Sequence, residues 1–405
     1  LANCLYRYYG KKVIILLDEY DTPMQEAYLY GYWDQFTSFV RSLFNATFKT
    51  NPYLERAMMT GITRVSKESV FSDLNNLNVI TSTSLEYETS FGFTEEEVFT
   101  ALDNMGMSEQ KEIVKSWYDG FVFGNQKDIY NPWSITNYLD KKQVRTYWAD
   151  TSSNSLISRL IRKASAGIKE QMEELLQGKE IIVNFDEQIV FEQLDQDENA
   201  IWSLMLASGY LKAEQVEYRG LLREPWYHLK ITNLETTAMF TNLFKSWFNQ
   251  SRTNYNQFIK ALLQNDIDAM NYYMNQISMA TFSYFDVDGV EGGKSEPERF
   301  YHGFVLGLIA EQTDIYEIRS NRESGFGRYD VMMIPKKRDN CYPAVIIEFK
   351  VHNAIKEANL EASVKAARKQ IEEKNYDAEL FARGFCKEGI LHYGFAFEGK
   401  KVLIG

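Results

Sequence analysis

An aliphatic run that ends in an acid and a lysine constrains this chain more than any other feature. Residues 344–350 read Ala-Val-Ile-Ile-Glu-Phe-Lys, and Asp330 stands 18 residues before Glu348, behind a turn rich in glycine. The β-branched run predicts a buried strand. Because alternate residues of a strand point to the same side, Glu348 and Lys350 share one face roughly 7 Å apart, and Phe349 points away from them.

A metal site is one interpretation of this pattern. If Asp330 lies on a strand beside Glu348, the two carboxylates converge on one point, and hard carboxylate oxygens completed by waters suit Mg²⁺. Lys350 beside the ion would orient or deprotonate an attacking water. The alternative is that these charges are solvated residues at a strand end. The upstream aspartate favours the metal site.

The same residues carry a family resemblance. Asp330, Glu348 and Lys350 resemble the D…ExK core of the PD-(D/E)xK nuclease superfamily, although Tyr329 and not proline precedes the aspartate. The run EIRSNRESGFGRYDVMMIP resembles the nuclease domain at the C-terminus of bacterial AAA-ATPase-like proteins. The resemblance implies Mg²⁺ or Mn²⁺ as cofactor, Asp330 and Glu348 as metal ligands and catalytic residues, Lys350 as a catalytic residue, and Glu298 on the first core helix as a further ligand.

Basic residues near this core are candidates for contacts with nucleic acid, because guanidinium and ammonium groups bind phosphates. They are Arg322, Arg328, Lys336, Lys337 and Arg338. A turn held by local salt bridges is the alternative for the two arginines that precede Asp330. The net charge of −12 weakens the nucleic-acid interpretation, although residues 270–405 hold 18 Lys/Arg against 20 Asp/Glu. We expect DNA, and RNA second, as the partner.

The N-terminal run VIILLDEYDTP predicts a buried parallel strand that delivers carboxylates at its end. It resembles a Walker B strand, which implies that Asp18 holds Mg²⁺ through water and Glu19 activates water at the γ-phosphate of ATP. Residues 60–77 resemble the sensor strand and following loop of the same AAA-ATPase-like family. Thr60 or Thr63 would sense the γ-phosphate and Arg64 would contact phosphate.

A Walker A loop should precede Asp18, yet only 17 residues stand there and none forms GxxxxGK[S/T]. The sequence Gly293-Lys294-Ser295 mimics the end of such a loop but lies in an acidic linker. The first residue is Leu1 and not methionine, which suggests that the start of the protein is missing from this chain. We therefore expect an N-terminally truncated protein that carries half of a nucleotide site.

The predicted fold class is α/β, in three parts. Residues 1–150 form a partial P-loop ATPase α/β layer with a helical lid, and residues 151–269 form a helical, winged-helix-like region or, equally, a plain helical spacer. Residues 270–405 form a PD-(D/E)xK-like α/β nuclease domain with the order α-β-β-β-α-β. Its elements are predicted near residues 297–312, 315–319, 329–334, 344–349, 354–374 and 390–403.

Composition excludes several other classes. The longest aliphatic run, Val13 to Leu17, is far too short for a bilayer, and no N-terminal signal segment is visible, so we expect a cytoplasmic protein without membrane contact. Three cysteines and four histidines lack the spacing of zinc sites.

The sequence leaves three functions to compare. The first is a Mg²⁺-dependent DNA nuclease coupled to an ATPase module, with homo-oligomerisation through that module. The second is a regulatory or adaptor ATPase whose nuclease-like domain binds nucleic acid or protein without cutting. The third, a sugar or peptide hydrolase, lacks a nucleophile with a histidine or a free acid pair. The complete set of Asp330, Glu348 and Lys350 favours cutting.

Overall fold

The computed structural model describes residues 1–62, 74, 77–149, 155–187, 197–285, 295–337, 342–353 and 357–405. Helices take 48% and strands 23% of it, which confirms a mixed α/β chain. It divides into two compact units, Leu1–Leu160 with Gly178–Thr237, and Ile161–Gln177 with Ala238–Gly405. The division into 1–150, 151–269 and 270–405 stays a prediction.

The helices in chain order are α1 Ala2–Tyr9, α2 Thr22–Tyr30, α3 Trp33–Phe48, α4 Glu95–Asn104, α5 Lys111–Tyr118, α6 Pro132–Lys141, α7 Ser155–Lys163, α8 Ala166–Leu176, α9 Ala200–Ala207, α10 Leu234–Trp247, α11 Arg252–Gln264, α12 Ile267–Phe285, α13 Ser295–Gln312, α14 Leu360–Glu373 and α15 Ala378–Ala382. The strands are β1 Val13–Leu17, β2 Leu54–Met59, β3 Phe93–Thr94, β4 Phe121–Phe123, β5 Gln126–Tyr130, β6 Ile181–Val183, β7 Leu211–Arg219, β8 Glu224–Ile231, β9 Tyr316–Ser324, β10 Gly327–Pro335, β11 Ala344–Val351, β12 Ile390–Glu398 and β13 Lys401–Ile404.

The first sheet of the N-terminal unit has two parallel strands, β1 and β2. The parallel pairing agrees with the sequence analysis, but the expectation that β1 is buried is wrong. Ile14 and Leu16 are exposed, Leu16 at 75% of its surface. Among the described residues no third strand joins this sheet, and the face that carries these two side chains is uncovered.

The rest of the N-terminal unit contains two antiparallel sheets, β3-β5-β4 and β6-β8-β7. Helix α4 begins with a capping box, in which Thr94 and Glu97 bond each other's backbone N–H. The strands β6, β7 and β8 exclude a plain helical spacer for residues 151–269. Strand β7 was not predicted, because its residues show no regular alternation and the segment after Leu211 was interpreted as a turn.

The C-terminal unit is built on a five-stranded sheet in the order β13-β12-β11-β10-β9. Strands β9, β10 and β11 are antiparallel, and β12 runs parallel to β11. The predicted order α-β-β-β-α-β is therefore present from α13 to β12. Helix α14 covers one face, where Ile371 packs in a core cluster with Met332 of β10 and Ile346 of β11. Helix α13 reaches the other face, where Tyr301 stacks on Phe349 with ring centroids 4.7 Å apart.

No described helix combines the length and the apolar character that crossing a membrane requires.

Candidate active site

The pairing of β10 with β11 brings the two predicted carboxylates next to each other. The antiparallel ladder pairs Val331 with Ile347 and Met332 with Ile346, so Asp330 and Glu348 are the next residues on the two strands. Side chains alternate along β11, and Glu348 therefore lies on the face of Ile346, which α14 covers. Asp330 is close enough for its charge to act on the Glu348 carboxylate.

Glu348 is a buried carboxylate, with 3% of its surface exposed. Its Oε1 accepts a hydrogen bond from Nε2 of Gln370 on α14. Its Oε2 is buried and has no hydrogen-bond partner in the part of the chain that the structure describes. Burial, followed by the neighbouring charge of Asp330, raises the pKa of Glu348 to about 8, against the opposing effect of Lys350.

Gln370 also holds Lys350, because its Oε1 accepts a hydrogen bond of 2.8 Å from the lysine Nζ. The amide thus ties Lys350 to Glu348 on one face, as the spacing of two residues in a strand predicts. Gln370 Nε2 also donates to the hydroxyl of Tyr376 at 3.2 Å, and that hydroxyl donates to the carbonyl oxygen of Arg328 at 2.5 Å. The lysine, the buried acid and the start of β10 therefore form one hydrogen-bonded network.

Asp330 holds the backbone of β11 at the point where this strand stops pairing with β10. Its Oδ2 accepts a hydrogen bond of 2.7 Å from the backbone N–H of Phe349. Residues 295–300 lie in α13, but the side chain of Glu298 is outside the described residues. Its assignment as a metal ligand therefore stays a prediction.

The predicted basic contacts divide by their position along β10. Arg328 is exposed near the start of the strand, two residues before Asp330. Arg322 lies on β9, paired with Tyr329. Lys336 and Lys337 are exposed just past the other end of β10, roughly 20 Å along the strand from Asp330. Arg338 is outside the described residues.

The N-terminal carboxylates stand where β1 ends. The hydroxyl of Thr60, just past β2, donates to Oδ1 of Asp18 and accepts from the backbone N–H of Glu19 at 3.2 Å. Glu19 has a left-handed backbone with φ of 50°, and its carboxylate is exposed. The parallel pairing of β1 and β2 thus brings together Asp18, Glu19 and Thr60. Thr63 and Arg64 are outside the described residues.

The resemblance to the nuclease superfamily includes Gln370 as a match to a position that is often polar, but nothing in the sequence points to Tyr376. The two are separated by six residues, and the end of α14 at Glu373 and the left-handed Asn375 lie between them. No helical or strand periodicity relates residues across such a bend. Tyr376 carries no motif of its own, so only the fold reveals its place.

Two family models match the chain. Residues 296–405 match the model described as PD-(D/E)XK nuclease superfamily, and residues 1–71 match the model described as Predicted AAA-ATPase. The chain therefore has an N-terminal AAA-ATPase-like region and a C-terminal PD-(D/E)XK nuclease domain, as the sequence resemblance predicted. The C-terminal match contains Asp330, Glu348 and Lys350.

Among curated proteins, the chain is similar to one named "Uncharacterized protein in vnfD 5'region" from Azotobacter chroococcum mcd 1. The two are 26% identical over 230 residues, which cover 56% of this chain and 42% of the relative. The match thus spans less than half the length of that protein. No solved structure matches the chain.

The donor atoms at this site fit a hard divalent cation. A buried carboxylate oxygen without a hydrogen-bond partner is costly, and a cation beside Glu348 Oε2 would satisfy it. The facing acid, Asp330, supplies the second carboxylate. Two carboxylates completed by waters are a ligand set that Mg²⁺ accepts.

Proposed function

We propose that this protein is a metal-dependent nuclease that hydrolyses phosphodiester bonds of DNA and carries an AAA-type ATPase module. The observation that supports the proposal best is the link through Gln370 between Lys350 and the buried Glu348. An ammonium and an unsatisfied carboxylate held on one face have a use in hydrolysis that a plain binding surface does not require.

Asp330 and Glu348 would hold a Mg²⁺ or Mn²⁺ ion, with Glu298 of α13 as a further ligand. When bound, the ion supplies Lewis-acid stabilisation of the phosphoryl oxygens and lowers the pKa of a coordinated water. Gln370 keeps Glu348 Oε1 occupied, so that Oε2 is the oxygen that the site offers to the ion.

Lys350 would act on the proton of the attacking water or on the charge that develops at the phosphate. Its Nζ is fixed by Gln370, and a fixed donor loses little freedom when the reaction proceeds. Arg328, two residues before Asp330, would bind a phosphate next to the cleaved bond. Arg322 and residues 336–338 would bind phosphates farther along the duplex and set its position.

The end of β1 would form one half of an ATP site, and a Walker A loop would supply the other half. Asp18 would hold Mg²⁺ through water, Glu19 would orient the hydrolytic water, and Thr60 would respond to the γ-phosphate. Arg64 would contact phosphate within this chain or from a neighbouring copy in a homo-oligomer. The exposed Glu19 carboxylate and the Thr60–Asp18 hydrogen bond support this proposal. We expect the protein to work in the bacterial cytoplasm.

A second candidate is a regulatory or adaptor ATPase whose nuclease-like domain binds nucleic acid or protein without cutting. The net charge of −12 favours the form of this candidate that binds protein, because an acidic surface repels nucleic acid. The two functions differ in whether Lys350 and Glu348 take part in the hydrolysis of a phosphodiester bond.

Incubation of the purified chain with linear, circular and single-stranded DNA distinguishes them. We expect cleavage with Mg²⁺ or Mn²⁺ and none with EDTA, for parent protein but not for Glu348→Ala. DNA that stays intact with both metals, yet is retained by the protein in a gel-shift assay, would support the adaptor.

A further inference from the structure

Three acidic residues outside the candidate active site meet in the N-terminal unit. Glu95 is the first residue of α4, Asp119 directly follows α5, and Asp128 lies in β5. One carboxylate oxygen from each lies within 4.8 Å of the others. The start of α4, the residue after α5 and the middle of β5 therefore meet at one point.

Asp119 is the buried member of this group, with only 9% of its surface exposed. Its Oδ1 is buried and finds no hydrogen-bond partner within the described ranges of the chain. The next residue, Gly120, has φ of 113°, and a Cβ there would lie 2.2 Å from the carbonyl oxygen of Thr232. The backbone is thus packed closely next to Asp119, and only glycine fits at residue 120.

The charges around the three carboxylates do not balance. Lys115 forms ion pairs with Glu95 and, at 3.5 Å, with Asp128. The hydroxyl of Tyr130 donates to Glu95 at 3.3 Å but carries no charge. Burial and then the neighbouring Asp128 raise the pKa of Asp119 to about 7, against the opposing effects of the Gly120 backbone and Lys115. Among the described residues, Lys115 is the one ammonium that forms ion pairs with any of these three carboxylates, which leaves room for a further cation.

We propose that Glu95, Asp119 and Asp128 form a structural site for a hard divalent cation of the Mg²⁺, Mn²⁺ or Ca²⁺ class. All donors are carboxylate oxygens, which these ions prefer, and waters would complete the coordination on the exposed side of Asp128. The ion satisfies Asp119 Oδ1 and joins α4, α5 and β5 beside an aromatic core that includes Tyr118 and Tyr130. Its function is to stabilise the N-terminal unit.

A proton shared between Asp119 and Asp128 is the competing arrangement, because it also removes one negative charge. It predicts that the unit is indifferent to divalent cations. It also predicts that Asp119→Asn stabilises the protein at neutral pH, since a neutral amide replaces a carboxyl whose ionised form is disfavoured.

Mn²⁺ binding to the full chain separates the two arrangements. The parent for this experiment is Asp330→Ala/Glu348→Ala, which lacks the carboxylates of the candidate active site. Calorimetry should detect bound Mn²⁺ in this parent, and Mn²⁺ should raise its thermal unfolding midpoint. Asp119→Asn should weaken binding by about tenfold or more and abolish the rise in midpoint.

Two further variants keep the test decisive if Asp119→Asn fails to fold. Asp128→Asn changes a side chain that is 50% exposed and should weaken Mn²⁺ binding similarly. The control Asp103→Asn removes an exposed acid of α4 that pairs with Lys111, and it should bind Mn²⁺ as the parent does. Equal Mn²⁺ affinity in the parent and in both Asp119→Asn and Asp128→Asn, or no binding in the parent, would overturn the proposal.

Discussion

The buried Glu348 carboxylate of β11 is hydrogen bonded to the side-chain amide of Gln370 on α14. An amide has one donor end and one acceptor end, and here the acceptor end holds Lys350. The orientation of the helix amide therefore sets the positions of both strand residues at once.

Removal of this amide should disable the site without removing a ligand. We expect Gln370→Ala to lower the DNA cleavage rate by about 10- to 100-fold, because Glu348 and Lys350 lose their shared support. The KM for DNA should stay near the parent value. Lys369→Ala is the control, since its side chain is 71% exposed on the same helix. Equal rates for parent and Gln370→Ala would contradict the role of the amide.

The raised pKa of Glu348 predicts a pH-dependent stability in the absence of divalent cations. The folded chain keeps this proton up to about pH 8, whereas the unfolded chain releases it near the ordinary pKa of 4.5. Between these values the folded state binds more protons, so the contribution of Glu348 to the free energy of unfolding falls as pH rises. Glu348→Gln should therefore be more stable than the parent above pH 8, on the order of 2 to 4 kcal/mol, and similar to it near pH 4.5.

Urea unfolding in EDTA between pH 4.5 and 9 measures this difference. The control variant Glu373→Gln changes an exposed acid of α14 and should follow the parent at every pH. A Glu348→Gln curve parallel to the parent curve would mean that Glu348 is ionised in the folded chain at neutral pH.

The backbone next to the Asp18–Thr60 contact leaves no room for a side chain at Gly61. An added Cβ would lie 2.5 Å from Oδ1 of the buried Asp21, which also accepts a hydrogen bond from the Ile62 N–H. We expect Gly61→Ala to lower the free energy of unfolding by about 1–3 kcal/mol in chemical denaturation. Gly167→Ala in α8, where a Cβ meets only Ser165 at 3.9 Å, should not destabilise the chain. Equal losses in the two variants would argue against the contact.

Regular periodicity explains which parts of the fold could be predicted. The bounds of helix α3, Trp33–Phe48, follow from apolar residues that recur at helical spacing. Strand β11 begins as predicted at Ala344 because an unbroken aliphatic run needs burial on both sides of a sheet. Strand β7 was not predicted, because Lys-Ala-Glu-Gln lacks the pattern of a strand and was interpreted as a turn, and the strand forms by pairing with β8.

The candidate site was predictable only along the strands. The two-residue period of a strand predicted that Glu348 and Lys350 share a face. The upstream Asp330 was the predicted neighbour of Glu348. Gln370 and Tyr376 come from a helix and the bend after it, and their contacts depend on how α14 packs on the sheet. The exposure of Leu16 was unpredictable because burial depends on what packs against the face of a sheet, and not on the strand itself.

The chemical role of Lys350 predicts a separation of binding from cleavage. Lys350→Ala should lower the cleavage rate by about 10² to 10⁴-fold while DNA and metal binding persist. Lys350→Arg should not restore the rate, because a guanidinium is bulkier and keeps its proton. Single-turnover cleavage with saturating DNA measures the rate, and Lys365→Ala on the exposed side of α14 is the control. If Lys350→Ala cleaved DNA at the parent rate, Lys350 would have no role in the chemical step and could at most position the DNA.

The most direct test of the proposed nuclease is the cleavage rate of Glu348→Ala across a Mg²⁺ titration, with DNA binding measured on the same protein. The variant loses the buried carboxylate that the site offers to the ion, so we predict no cleavage at any Mg²⁺ concentration and duplex binding that persists through the basic residues. Cleavage by Glu348→Ala at the parent rate would contradict this account, because residues other than Asp330, Glu348 and Lys350 would then carry out the cleavage.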